Sequence, residues 1–334
     1  MFSGTVNSNE LTTEEVMKLI SDYHTKAYGK YLTLSGGEPS LHLDFDVIVK
    51  NASELGLKVK VLTNGALFSN DRVKYLSKYI YSVQVSIDGY SEESNATIRG
   101  KGHFSKALST VESFISYGVE TSIAVTPSLE LLKSHLNDYI TFAKDLLAKY
   151  EGKPFEIKFA EGLSAGRNIN PTKSLNEEYA ALIKQIHDII YDNQYDLIMF
   201  VDTMTNNVII DNCMFGNLTV SSNGEVYFCP EIGNLVPVAN VRTTPIEVIL
   251  EKCLEARNAT MVTQLSPCNM CELLYICGGG CRTENFPNLA KRKSFDSNED
   301  LSTSARECLQ TIKEKFYRLM IESNEYLYTP YEED

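Results

Sequence analysis

The 334-residue chain has no cysteine before Cys213 and no histidine after His187. A metal centre in its last third would therefore be built from thiolates, with no histidine nearby in sequence. That favours zinc or iron–sulfur over copper, nickel or magnesium. No apolar run approaches the ~20 residues needed to cross a bilayer. The opening MFSGTVNSNE has neither a basic n-region nor an apolar h-region. The expected compartment is the cytoplasm, with no membrane partner. No basic run interleaved with aromatics occurs, and a formal charge of −13 repels a phosphate backbone, which excludes nucleic acid as a partner. Without an export signal the eight cysteines are kept reduced, so ligation or redox chemistry is expected of them rather than disulfides.

What is present is a chain of 43% hydrophobic residues, with length for about two domains. Five segments read as strands: KYLTLSGGEP, LKVKVLTNG, SVQVSIDG, VETSIAVTP and PFEIKFAEG. Helical stretches lie between them. In LTTEEVMKLI, Thr12 and Glu15 form a capping box ahead of Val16, Leu19 and Ile20 on one face. Strand, helix, strand at this spacing predicts an α/β fold with a parallel sheet and right-handed crossovers. The strands alternate. Val83, Val85 and Ile87 are set against Gln84, Ser86 and Asp88, and Ile157 and Phe159 against Glu156 and Lys158. Strands covered on both faces are apolar throughout, so one face here meets helices and the other lines something polar. A curved sheet closing partly into a barrel explains this better than a flat doubly wound sheet.

Ligands of parallel α/β proteins gather at the C-terminal strand ends. Those ends read SGGEP, TNG, SIDG and EGLSAGR, each with glycine and short polar side chains. Gly162 to Gly166, GLSAG, fits a nucleophile elbow with Ser164 as nucleophile, but RNINPTK follows in place of a helix. The one histidine beyond it is His187, inside a helical run. A serine hydrolase is excluded on that context.

The cysteines carry the strongest pattern. Cys213 and Cys229 flank LTVSSNGEVYFC, a β-hairpin with its turn at Asn223-Gly224 that brings them together. Cys268-x2-Cys271-x5-Cys277-x3-Cys281 follows, and Cys308 lies further on. Seven patterned cysteines are too many for one zinc and one short for two closed four-thiolate zinc sites. Gly278, Gly279 and Gly280 let backbone N–H groups approach sulfide. Iron–sulfur is the favoured reading. Cys253, in the helical run IEVILEKCLEARN, reads as a buried packing thiol.

The seven-cysteine order resembles the SPASM domain of radical S-adenosylmethionine (SAM) enzymes, which holds two auxiliary 4Fe–4S clusters. The first half resembles their partial (β/α)6 barrel, with SGGEP as the GGEP motif, VSIDG as a strand and Arg99 in ATIRGKGHF as the arginine of that family. The resemblance implies a partial barrel over residues 1–170, a helical linker over 171–205, a small cysteine-rich α+β SPASM domain over 206–312, and a C-terminal helix and tail over 313–334. It implies that Gly36, Gly37 and Glu38 contact the SAM amino group, with Ser86 and Arg99 near its carboxylate. It assigns Cys213, Cys229 and Cys281 to the first auxiliary cluster, and Cys268, Cys271, Cys277 and Cys308 to the second. One iron of the first cluster then lacks a thiolate, a position open to a substrate thiolate or amide, or else filled by water, Asp211 or Cys253. The expected activity is modification of a peptide or protein by hydrogen abstraction with a 5′-deoxyadenosyl radical. The expected partners are that substrate and a reductant such as flavodoxin or ferredoxin.

These enzymes hold their initiating cluster on CxxxCxxC upstream of GGEP, and MFSGTVNSNELTTEEV resembles the stretch that follows that loop. The expectation is a barrel lacking its first strand and cluster loop, with SAM binding weak or absent and no SAM cleavage unless CxxxCxxC lies upstream. The alternative is an inactive iron–sulfur or zinc scaffold or electron carrier.

Overall fold

The computed structural model of the chain describes residues 9–163, 172–206, 213–231, 235–286, 292–295 and 310–324. It divides into two compact units, Met1–Asn193 and Gln194–Asp334.

All five strands read from the sequence form in the first unit: β1 Tyr31–Leu34, β2 Lys58–Thr63, β3 Ile80–Ser86, β4 Glu120–Val125 and β5 Phe155–Phe159. They pair in parallel in the order β1-β2-β3-β4-β5. Each strand thus neighbours the next in sequence, and no reversal of order creates the switch point of a doubly wound sheet. The helices are α1 Thr13–Ala27, α2 Phe45–Glu54, α3 Asn70–Leu76, α4 Glu92–Arg99, α5 His103–Ser116, α6 Leu129–Ser134, α7 Leu136–Lys149 and α8 Lys173–Ile190. This sequential α/β sheet is the expected partial barrel.

The strand alternation has the expected cause. Val59, Val61, Val83, Val85, Ile123, Val125, Ile157 and Phe159 are buried in one core with Val49, Val73, Val111, Phe114, Tyr139 and Ile183 from the helices. Each such burial contributes about 1.5–3 kcal/mol. On the other face Lys60, Gln84 and Ser86 stay half-exposed, whereas Ser122 is buried. The capping box of α1 is present, with Glu15 N–H donating to Thr12 Oγ1 (3.2 Å) and Thr12 N–H to Glu15 Oε2 (2.8 Å).

The second unit holds α9 Tyr195–Asn206, then β6 Thr219–Val220, β7 Glu225–Tyr227 and β8 Ala239–Asn240 in a small antiparallel sheet. The helices α10 Ile246–Ala259, α11 Leu274–Cys277, α12 Arg282–Asn285 and α13 Gln310–Glu322 follow. The hairpin forms where the sequence places it. Ser221 N–H bonds to the Glu225 carbonyl, which leaves a three-residue loop ending on Gly224 at φ 85°. The rings of Phe215, Phe228 and Phe295 pack edge-on or tilted at 5.6–5.9 Å. Among the described residues no helix is long and apolar enough to cross a membrane.

Candidate functional site

The first group of candidate residues lies at the C-terminal strand ends of the first unit. Beyond β1, Ser35, Gly36 and Gly37 are exposed, and Gly36 has φ 139° with open space where a Cβ would stand. Glu38 then turns its carboxylate toward β2. Oε1 accepts from Ser40 N–H (3.1 Å), Ser40 Oγ and Thr63 Oγ1 (2.6 Å), and Oε2 accepts from Asn64 N–H (2.6 Å). The GGEP glutamate therefore joins the ends of the first two strands.

Beyond β3, the half-buried Ser86 leads to Asp88, which ties four elements together. Its Oδ2 accepts from Arg99 Nε at the end of α4 (2.6 Å), and its Oδ1 from Thr126 N–H after β4 (3.0 Å). Its carbonyl accepts from Tyr139 Oη on α7 (2.9 Å), and its N–H donates to Asn95 Oδ1 (3.0 Å). Asp88 is buried while Arg99 keeps a quarter of its side chain exposed. The pair thus fixes the root of the guanidinium and presents the remainder at the rim. Burial, with the Asp88 charge second, pushes the Tyr139 and Tyr179 phenols far up, so both stay neutral. Burial, with the Arg99 charge second, holds His103 below the usual imidazole value. Gly89 is required by close approach, since a Cβ there would lie 2.1 Å from Asn95 N. A separate cavity of about 370 Å³, lined by Tyr90, Phe104, Asp138, Phe142 and Asp145 among others, contains none of the residues singled out from the sequence.

The second group is the cysteines of the second unit. A hydrogen bond from Gly216 N–H to the Phe228 carbonyl (2.8 Å) aligns the segment after Cys213 with the end of the hairpin that carries Cys229. Cys213 hydrogen-bonds Cys281. That bond first, then Thr283 Oγ1 (3.1 Å) and the Glu284 and Thr283 N–H groups, outweigh burial and bring Cys281 down to about 5. The same bond, with burial, drives Cys213 far up. Burial first, then the nearby Cys281 charge, raises Cys229. The three cysteines of the first set therefore share one neighbourhood, in which the hydrogen bond with Cys213 favours the thiolate form of Cys281. Cys253 is buried in α10 and burial alone lifts it to about 11, as a packing thiol should be.

Of the second set, Cys268 and Cys271 close a 3-10 turn (3.0 Å) and Cys277 ends α11. Gly278, Gly279 and Gly280 follow at φ 62°, 79° and 68°. Cys308 and Asp211 lie outside the described residues, as does Ser164. Among the described residues no three of His, Cys, Asp or Glu are drawn together tightly enough to enclose a single metal ion. The donor chemistry nonetheless fits a thiolate-held cofactor: one sulfur is favoured as the thiolate, a second hydrogen-bonds it, a third stands beside it, and three left-handed glycines without side chains follow Cys277.

Two residues escaped the sequence reading. Asp88 read only as a polar strand position, and its partners come from 7 to 51 positions away. Arg282 is fully buried beside Cys281, and its one signal was that adjacency.

The Radical SAM superfamily profile matches residues 2–133. An AdoMet-dependent heme synthase of Methanosarcina barkeri is 25% identical over 311 residues, which cover 85% of this chain and 86% of that protein. The mycofactocin maturase MftC of Mycolicibacterium smegmatis is 31% identical over 128 residues, 37% of this chain and 32% of the maturase. Among solved structures, native anSMEcpe with bound AdoMet and Kp18Cys peptide superimposes with a TM-score of 0.65 at 19% identity, over 94% of this chain and 91% of that one. The residues that match the Radical SAM superfamily profile, 2–133, are those that carry β1 to β4 of the sequential parallel sheet.

Proposed function

We propose that this chain is the body of a radical SAM enzyme that modifies a peptide or protein, and that residues 206–312 form an auxiliary iron–sulfur domain of the SPASM type. The observation that carries the reading is the meeting of Cys213, Cys229 and Cys281, from two separate segments, beside the glycine run of a chain with a radical SAM domain. Cys213, Cys229 and Cys281 would hold one auxiliary 4Fe–4S cluster, and Cys268, Cys271, Cys277 and Cys308 the other. At the strand ends, Gly36, Gly37 and Glu38 would receive the SAM amino group, with Ser86 and Arg99 at its carboxylate. Asp88 keeps Arg99 aimed there. An initiating 4Fe–4S cluster would supply the electron that opens SAM, and residues 1–193 contribute no cysteine to hold it. The exposed Gly36–Gly37 main chain admits a ligand, and the neutral Tyr139 and Tyr179 maintain a low-dielectric wall behind Asp88. Peptide substrates are supported by the maturase likeness and by the peptide bound to anSMEcpe. A second reading, a tetrapyrrole substrate, is favoured by the 311-residue alignment with the heme synthase.

The test is anaerobic incubation of the reconstituted protein, expressed from its complete reading frame, with SAM, dithionite and either a synthetic cysteine-containing peptide or an iron porphyrin. Mass spectrometry is expected to show 5′-deoxyadenosine and a peptide changed in mass. A changed porphyrin would select the second reading. Full iron content with no 5′-deoxyadenosine would leave a scaffold or electron carrier.

A further inference from the structure

The cavity of about 370 Å³ lies between α5 and α7 on the helical side of the first unit. Phe104 and Leu108, four residues apart on α5, face Phe142 and Leu146 of α7 across it. Tyr90, Phe104, Leu108 and Phe142 pack on the core from above and remain only half-buried, so they form an apolar floor open to the outside. On α7 the lining residues Asp138, Thr141, Phe142 and Asp145 fall at i, i+3, i+4 and i+7, which is one stripe of a helix.

The charged residues of the lining are two carboxylates, with no lysine or arginine to offset them. Asp138 and Asp145 stand about 10 Å apart along the helix axis. Asp138 Oδ2 lies 2.8 Å from His135 Nδ1 and keeps half of its side chain exposed. Asp145 is exposed and, among the described residues, makes no ion pair or hydrogen bond. Neighbouring cations are directed elsewhere: Lys149 pairs with Glu112 (3.2 Å), and Lys144, next to Asp145 in sequence, lies off the stripe. After burial, the charges of Asp138 and Glu93 push the Tyr90 phenol up, in keeping with a negative potential over the floor.

We propose that this groove docks a basic amphipathic helix of a peptide or protein partner, with basic residues at i and i+7 on Asp138 and Asp145 and apolar side chains at i+3 and i+4 on the floor between them. A single small cation cannot reach two carboxylates about 10 Å apart, whereas a helix laid along α7 repeats the same spacing. Contact with Phe104, Leu108 and Phe142 supplies most of the affinity, and the two exposed charges set the register. The groove also shares a wall with the strand-end rim. Tyr90 stacks edge-on against Tyr139 (5.1 Å), whose hydroxyl donates to the Asp88 carbonyl (2.9 Å), so a docked segment lies beside that rim. The proposal requires neither SAM nor iron.

The experiment is fluorescence anisotropy of the full chain with a labelled alanine-rich peptide of about 18 residues, long enough to hold a helix. It carries lysine at i and i+7 and leucine at i+3 and i+4. A second peptide of the same composition puts the lysines on opposite faces. The first should bind about tenfold more tightly than the second. Asp138→Asn with Asp145→Asn should weaken the first about fivefold or more and remove its advantage over the second. Glu14→Gln with Glu54→Gln, an equal loss of charge on α1 and α2, should leave both unchanged. No binding, equal binding of the two peptides, or equal weakening in both double variants would overturn the proposal, the last two by showing only a general attraction to an acidic surface. Spermine that binds as tightly as the peptide, and is lost with the two aspartates, would overturn it in favour of a polyamine site.

Discussion

Asp88 shows how one side chain can set the geometry of a rim. Its carboxylate is buried and holds Arg99 Nε and Thr126 N–H at once. Asp88→Asn replaces an ionic acceptor with a neutral amide that cannot satisfy both donors. Stability should fall by about 1.5–3 kcal/mol, the range for hydrogen bonds to a charged group, as read by urea unfolding. If the proposed SAM site is correct, SAM affinity of the reconstituted protein should fall with it, because Arg99 is no longer held; unchanged affinity would remove Arg99 from that proposed site. The thiols give a second residue-scale test. With Cys281 near 5, its thiolate dominates at pH 6.5, while Cys229, raised, and Cys253, near 11, remain thiols. Iodoacetamide at pH 6.5 on the reduced, metal-free chain should therefore label Cys281 well ahead of Cys229 and Cys253 by peptide mapping. Lowering the pH below about 5 should abolish that advantage, since protonation through the depressed value removes the thiolate.

Elements were legible where their signal is local. The period-two alternation of β3 and β5 and the Thr12–Glu15 capping box of α1 lie within a few residues, so sequence alone located them. Thr12→Ala should cost about 1 kcal/mol by removing the cap, measured as a lower urea midpoint at unchanged slope. The rim network was not legible, because Asp88 reaches Arg99, Thr126 and Tyr139 across 11, 38 and 51 positions, and only the sheet order brings them together. The docking of α13 was equally hidden. Lys313 Nζ and Tyr317 Oη both donate to Glu272, next to Cys271, at 3.0 and 2.6 Å, and Lys315 pairs with Asp196 on α9 (2.8 Å). Those donors hold the Glu272 carboxylate at about 2, so the contact persists in mild acid. Glu272→Ala should increase amide exchange across α13 several-fold, with exchange in α10 unchanged.

At the scale of the whole molecule, the chain joins a sequential parallel α/β unit to a cysteine-rich unit. The first is recognisable from GGEP and strand spacing because barrel strands repeat one local pattern. The second is marked in the sequence by its cysteine spacing alone, since its strands are two or three residues long and its buried residues, Phe215, Phe228 and Phe295 among them, follow no periodic face. Arg282 fell outside both patterns because it is fully buried, which one arginine in a sequence does not announce. The account stands on the claim that the second unit holds two iron–sulfur clusters. Its most direct test is iron and sulfide analysis of this chain after anaerobic reconstitution, together with its visible absorbance. The account predicts about eight iron and eight sulfide per chain; two or fewer zinc ions with no iron absorbance would contradict it.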